Sequence, residues 1–411
     1  MQQAINILFL SYDGMTDPLG QSQVLPYLSG LSAKGYNISL ISFEKEERFS
    51  TGKNLIENIC RQTNIKWYPQ AYTKKPPVLS TVKDVRRMWR VASQLHKKIG
   101  FHIIHCRSYI AALTGLKMKR RYGTKFIFDM RGFWADERID GGLWNLKNPL
   151  YKTVYNYFKR KEIEFLQEAD YTISLTNNAA DEIHSWKKVA NNPVPIRVIP
   201  CCVDLELFNE KNISTELVAS KKKELGIDAG QEVLSYVGSL GTWYMLSEML
   251  DLFKHWSKTN DKLVFLFVTP DDAAGIINAA QQKNIPVEKI IIRKAQRQEM
   301  PLYIAVSDVQ VFFIKPAYSK KASSPTKQGE IMAMGKPVIC NAGVGDTDFV
   351  INKYHSGILI NDFNGNEYAK AIDKVRETGF DIAAIKQGAG DFFSLNEGVN
   401  RYAQVYSKIL S

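Results

Sequence analysis

The stretch SSPTKQGEIMAMGKPVI, residues 323–339, sets a cation and an anion three positions apart in a segment punctuated as a helix. Ser324 suits an N-cap, Pro325 the first helical position, and Gly335 followed by Lys336-Pro337 the stop. Lys327 then lies in the first turn, where the helix dipole welcomes anions and mildly disfavours a lysine. A diphosphate bound there, by the backbone amides of Ser323, Ser324, Thr326 and Lys327 and by the ammonium itself, would make that position favourable. Glu330 falls on the same face, about 5 to 6 Å away, where its carboxylate could accept two vicinal ribose hydroxyls. The alternative is an exposed ion pair worth about 0.3 kcal/mol.

Two glycine turns could serve the same chemistry. In YVGSLGTWY, a strand ending in Gly238, Ser239 and Gly241 leaves amides uncovered by side chains, so that a phosphate can approach closely. The loop DPLGQSQ after the first strand, with Gly20 and Gln21, stands at the corresponding place in the N-terminal half. His105 precedes Arg107 and Ser108 at a strand end, a reasonable place to contact an acceptor. His102 and His105 are three apart in an apolar strand, so they face opposite ways and cannot share a metal. Asp346-Thr347-Asp348 reads as a helix cap after a glycine turn. No metal site is expected.

The elements that must position these residues alternate. NILFLSYD, YNISLISF, FHIIHC, KFIFDMRG, YTISLT and PIRVIP are short apolar runs separated by helical patterns, and a second series follows in EVLSYVG, KLVFLFV, KIIIRKA, VQVFFIKP, KPVICNAG and GILIND. Alternation of this kind argues for parallel sheets covered by helices, with ligands beyond the carboxyl ends of the strands. The expected fold class is α/β: two doubly wound, Rossmann-like domains facing a cleft. The expected N-terminal domain is 1–199, with a C-terminal helix at 393–411 packing back on it, and the second domain is 200–392.

The chain of 411 residues is 45% hydrophobic and 23% charged, a globular rather than a disordered composition. No apolar run approaches the roughly 20 residues of a spanning helix, and residues 5–10 read as a buried first strand, which points to a cytoplasmic chain. The five cysteines follow neither zinc nor disulfide spacing and read as buried thiols. The net charge of +12 is uneven: residues 1–200 hold 30 Lys and Arg against 17 Asp and Glu, and the remainder 24 against 25. Two segments concentrate the excess, 81–100 with Lys83, Arg86, Arg87, Arg90, Lys97 and Lys98, and 116–125 with Lys117, Lys119, Arg120, Arg121 and Lys125. They are either solvated helix faces or a surface drawn to anionic lipid at about 1 kcal/mol per basic residue. No nucleic-acid module is recognisable, and nucleic acid is not an expected partner.

The chain resembles the retaining family 4 glycosyltransferases of the GT-B fold over essentially its whole length. The resemblance is carried by the helix and strand ending AKGYNISLIS, the linker IPCCVDLELF, the turn YVGSLG and above all PTKQGEIMAMGKPVI. It implies a nucleoside diphosphate sugar as co-substrate, no further cofactor, and a C-terminal domain that binds this donor, with the acceptor on the N-terminal domain. Glu330 takes the position of the family's ribose-binding glutamate. The family's preceding glutamate falls on Ala322, and its arginine after the glycine turn on Ser239, so that Lys327 is expected to take over the phosphate charge, with Arg297 and Lys294 as further candidates. Where many relatives read Thr-x-His-Gly, this chain reads Asp129-Met130-Arg131-Gly132. Arg131 then stands near the donor sugar or leaving phosphate, and Asp129, Asp136 and Glu137 become candidates for acceptor hydroxyls, Asp129 alternatively pairing with Arg131.

The resemblance implies metal-independent transfer of a hexosyl group with retention, in cell-envelope polysaccharide or glycolipid synthesis. The acceptor would be lipid-linked or a glycan, and the enzyme peripheral on the inner face of the membrane. Lys327, Arg131 and Asp129 are the catalytic set it suggests. A sugar-nucleotide epimerase or phosphorylase on the same fold, or a non-catalytic module for polyanions or membranes, is the competing reading.

Overall fold

The structure, a computed structural model, describes residues 5–411, so the first four residues of the expected N-terminal domain lie outside the described residues. The chain divides into two compact units: Met1–Pro200 with Tyr318–Ser323 and Leu395–Ser411, and Cys201–Ala317 with Ser324–Ser394. The short piece Tyr318–Ser323 is not foreseen by a linear division at residue 200.

In the first unit, β1 (Asn6–Ser11), β2 (Asn37–Glu44), β3 (Lys66–Ala71), β4 (Ile103–Arg107), β5 (Lys125–Asp129), β6 (Tyr171–Ser174) and β7 (Ile196–Val198) form a sheet in the order β3-β2-β1-β4-β5-β6-β7. In the second, β8 (Glu232–Val237), β9 (Leu263–Val268), β10 (Ile290–Arg293), β11 (Val309–Phe312), β12 (Val338–Asn341) and β13 (Gly357–Ile360) run β10-β9-β8-β11-β12-β13. The recorded strand pairings are parallel, from Leu8 opposite Ser39 to Val338 opposite Gly357. Each order reverses at its first strand, between β1 and β4 or between β8 and β11, the place where doubly wound sheets open for ligands. Strands sandwiched by helices must be apolar on both faces, which is why FLFV in β9 is buried at every position.

Two apolar layers flank the second sheet, one with Phe253, Trp256 and Phe265, the other with Val264, Tyr303 and Met332. In the first unit the helix Ser108–Tyr122 lies on β4 and β5 beside Phe126, Phe128 and Phe165. All five cysteines are buried thiols, as their spacing suggested. The C-terminal stretch forms two helices, Ile382–Phe393 in the second unit and Leu395–Leu410 in the first, parted at Ser394. The last helix packs on the helix Leu25–Ala33, where Gly30 admits the Val399 side chain.

Gly115 tests the close approach of helix to sheet. A Cβ there would stand 2.3 Å from Cys106 Sγ and 2.8 Å from the Phe126 ring. Gly115→Val is expected to destabilise the protein by about 2 kcal/mol through overpacking, read from the denaturant midpoint.

Candidate functional site

The helix carrying Lys327 runs Thr326–Ala333, with Pro325 at its N-cap rather than inside its first turn. Ser324 is not the cap: its hydroxyl accepts from the Cys201 amide at 3.1 Å. The Ser323 amide donates to Lys320 O and the Gln328 amide to Pro325 O. The amide set is therefore smaller than expected, with Thr326 and Lys327 holding first-turn N–H groups that the helix itself cannot pair.

Lys327 is buried, at 7% exposure. Its Nζ lies 3.8 Å from the centre of the Tyr236 ring and 3.5 Å from that of Tyr244, and has no hydrogen-bond partner among the described residues. Gly238, at a φ of 102°, lies against this ammonium: a Cβ there would come within 3.4 Å of Nζ. Burial pushes the Lys327 pKa well below its ordinary value, opposed by the charges of Glu330 and Asp271. Two aromatic faces stabilise a desolvated cation by about 2 kcal/mol or more without occupying its N–H bonds.

Glu330 does not form the exposed ion pair with Lys327 that spacing allows. It is buried, and its Oε1 receives Arg297 Nη1 at 2.9 Å. Burial raises its pKa, and Arg297 opposes this. Arg297 is thereby committed to Glu330, with its guanidinium 5.2 Å from the Phe208 ring centre, rather than standing as a separate phosphate cation. Lys294 is exposed.

The turn after β8 is held by a residue that the sequence did not mark. Asp271 accepts from Ser239 Oγ at 3.0 Å, from the Leu240 amide and from Thr269 Oγ1 at 3.0 Å. Ser239 O accepts in turn from Tyr236 Oη at 2.6 Å, and Gly241 completes the bend at a φ of 50°. The signal for Asp271 was the Thr-Pro-Asp-Asp sequence after β9, a local turn pattern. Asp348, in the other acidic pattern, accepts from the Gly343 amide at 3.1 Å instead of capping its helix end by a side chain.

In the first unit, Gly20 lies in the short helix Pro18–Gln23, and a Cβ on it would strike Gly14 O at 2.3 Å. Gln21 Nε2 donates to Thr16 O at 3.3 Å. The loop before them hangs on buried Glu44, which accepts from the amides of Met15 at 2.8 Å and Thr16 at 3.1 Å.

The ends of β4 and β5 carry a buried charge cluster. His105, at 1% exposure, lies too deep to meet an acceptor. Its Nδ1 shares a 2.6 Å hydrogen bond with Tyr406 Oη, and its Nε2 stands 3.5 Å from Asp129 Oδ2. Tyr402 Oη donates to the same Asp129 oxygen at 3.1 Å. Arg131 Nη1 is 3.9 Å from Asp129 Oδ1, and Arg107 Nε is 3.5 Å from Asp13. Burial alone would raise the Asp129 pKa, but Arg131, His105 and Arg107 outweigh it and hold the carboxylate ionised. Ser108 and Arg131 both have positive φ, 66° and 57°, a conformation disfavoured for side chains and often kept where it aims a functional group.

Asp136 and Glu137 are both engaged. Asp136 binds Lys159 at 2.8 Å and Tyr155 at 2.9 Å, and Glu137 binds Lys320 at 2.7 Å. These bonds fasten the helix Trp134–Asp140 to its own unit, so neither carboxylate stands ready for an acceptor as the sequence suggested. Tyr318–Ser323 supplies Lys320, and Ser319 N donates to Asp140 at 3.0 Å. Among the described residues no group of His, Cys, Asp and Glu is arranged to hold a metal ion.

Residues 22–207 match the family model described as Glycosyltransferase Family 4, and residues 218–386 the one described as Glycosyl transferases group 1. Among solved structures, sucrose-phosphate synthase from Thermosynechococcus elongatus is similar over 99% of both chains, with a TM-score of 0.74 and 15% identity. A glycosyltransferase from Rickettsia africae is similar over 100% of this chain and 99% of that one, at a TM-score of 0.72 and 17% identity. HepE of Anabaena, in complex with UDP and glucose, is similar over 98% of this chain and 99% of its own, at 0.68 and 14%. No curated protein sequence matches. At these identities the structural likeness shows the fold alone.

If the two tyrosine faces hold the Lys327 ammonium for an anion, the ring matters and the hydroxyl of Tyr244 does not. Tyr244→Phe is expected to keep the affinity for inorganic diphosphate measured by calorimetry, whereas Tyr244→Leu lowers it about tenfold, equivalent to about 1.4 kcal/mol. Equal affinities for both variants would refute the role of the rings.

Proposed function

The chain belongs to the family 4 glycosyltransferases of the GT-B fold, and from that premise we propose that it transfers a hexosyl group from a nucleoside diphosphate sugar to an acceptor hydroxyl, with retention. The observation that carries this reading is the buried Lys327 ammonium, set between two rings against a glycine turn and without a hydrogen-bond partner among the described residues. A diphosphate fits that environment: it would supply hydrogen-bond acceptors and favour the lysine's charged form. Its remaining oxygens would meet the first-turn amides of Thr326 and Lys327 and the turn at Gly238 and Ser239.

Glu330 suits the ribose. Arg297 holds one of its oxygens, which orients the carboxylate and leaves the other for a hydroxyl. As the sugar's bond to phosphate breaks, negative charge grows on the diphosphate, and preorganised donors stabilise it most effectively in a site sheltered from water. Lys327 is the chief of these in the second unit; in the first unit Arg131 stands beside Asp129, at 3.9 Å. Asp129 lies beneath Tyr402 and is bonded to it, which supports a positioning role and not a nucleophilic one. We therefore favour attack from the face of departure, the leaving phosphate taking the acceptor's proton, without a metal.

The first unit is assigned the acceptor, lipid-linked or glycan, in cell-envelope synthesis at the inner face of the membrane. Support for a membrane surface comes from the helix Leu79–Ile99, whose Lys83, Arg86, Arg90, Lys97 and Lys98 are exposed. The second basic segment contributes less than its composition suggests, since Lys119 binds Asp170 at 2.9 Å and Arg120 binds Glu164 and Glu168 at 2.9 and 3.0 Å. Among the described residues no helix is long and apolar enough to cross a membrane.

Lys327→Ala is expected to lower kcat by about 100-fold or more, the usual loss of a preorganised donor to developing charge. Glu330→Ala should raise the donor KM by about tenfold, with thermal melting as the control for folding; unchanged donor binding would remove Glu330 from the site. Arg86→Gln with Arg90→Gln should weaken binding to anionic vesicles, and more so at low salt than at high salt.

A further inference from the structure

The first unit exposes an apolar and basic strip that the donor chemistry leaves unused. Leu143, Leu146, Leu150 and Tyr157 are 57%, 37%, 51% and 39% exposed. Scattered exposed leucines are ordinary, but these lie within fifteen successive positions, in the loop after the helix Trp134–Asp140 and the start of the helix Pro149–Glu168. Leu150 and Tyr157 are seven apart and share one helix face.

The strip is held firmly. The amides of Leu143 and Trp144 both donate to Arg138 O. Trp144 turns inward, edge-on to Trp134 at 5.3 Å and stacked with Tyr151 at 6.4 Å. Asn148 caps the following helix by accepting from the Leu150 amide at 2.9 Å, with Pro149 in the first turn. The leucines are thus displayed on an anchored backbone.

The charge around them has one sign. From Gly141 to Lys161 there is no acidic residue. Lys147, Lys152 and Arg160 are exposed, while Lys159 and Lys161 turn back to the carboxylates Asp136, Glu162 and Glu164. Apolar side chains fringed by cations, with a tyrosine at the edge, match the boundary between phosphate headgroups and acyl chains.

We propose that residues 143–157 insert into the headgroup region of an anionic bilayer, with Leu143, Leu146 and Leu150 entering the acyl boundary and Lys147 and Lys152 meeting lipid phosphates. This deepens the membrane reading given above and rests on it. It adds a hydrophobic, salt-resistant component to the electrostatic attraction of the helix Leu79–Ile99. Leu143 follows Arg131 by twelve positions in the chain, so insertion would fix the segment that continues from the reactive end of β5 at the surface where a lipid-linked acceptor resides.

The test uses the full chain and vesicles of phosphatidylcholine with phosphatidylglycerol. Leu143→Ser, Leu146→Ser and Leu150→Ser combined should lower partitioning about tenfold or more, at high as well as low salt, with UDP affinity and melting temperature unchanged. Leu146→Cys, labelled with an environment-sensitive fluorophore, should shift to the blue when vesicles are added. If Arg86→Gln with Arg90→Gln weakens binding but the label stays in water, or the leucine triple variant binds as the parent does, the insertion is refuted while the electrostatic reading stands. If the parent chain binds no vesicle, both fail; a blue shift only with an acidic protein partner would likewise overturn insertion.

Discussion

A lysine ammonium buried without a hydrogen-bond acceptor among the described residues is the constraint around which this part of the second unit is arranged. Desolvating a cation is costly, and an isolated one in an apolar interior would lose its proton. Here two tyrosine faces and the charges of Glu330 and Asp271 oppose that cost in part, although burial still lowers the lysine's pKa. The same requirement reaches the backbone. Gly238 takes the chain past Nζ at a φ of 102°, a conformation that side chains rarely adopt, and Asp271 holds the turn that contains it. A solvated lysine would need none of these neighbours, and would lose strength on meeting a phosphate because water screens the contact.

The first unit solves a related problem in another way. Its buried cluster at the ends of β4 and β5 has one carboxylate, an imidazole and two guanidinium groups, Arg131 beside Asp129 and Arg107 turned to the half-exposed Asp13. The C-terminal helix closes the cluster with two phenols, Tyr402 on Asp129 and Tyr406 on His105. Unpaired buried polar groups weaken a fold, so this helix is joined to the unit by specificity as well as by apolar packing. The piece Tyr318–Ser323 is fastened similarly, through Lys320 on Glu137 and Lys321 on Glu182. Carboxylates that composition marks as candidates for substrate thus serve to tie distant parts of the chain together.

Charge distribution separates in the same manner. The two segments that concentrate the basic excess look alike when counted, but Lys119 and Arg120 are paired with carboxylates about fifty positions away, whereas Arg86 and Arg90 remain exposed. Net charge sets long-range attraction, and local pairing decides which cations can contact a surface.

The sequence by itself determined the two doubly wound sheets, the reduced cysteines, the helix at Lys327 and the glycine turns, because strand runs, helical periods and turn residues are rules between near neighbours. It also placed Lys327 and Glu330 on one helix face. It did not show that Glu330 binds Arg297 instead of Lys327, that Ser324 serves Cys201 instead of capping the helix, or that His105 is closed off by the last helix. Nor could it mark Asp271, Glu44, Tyr244 or Tyr402, whose residue types are common and whose local patterns are ordinary. Those partners lie from tens to hundreds of positions apart, as with Asp129 and Tyr402. Only the tertiary structure decides them, since the strand order brings such groups together and burial, by removing water, obliges each charge to find a partner.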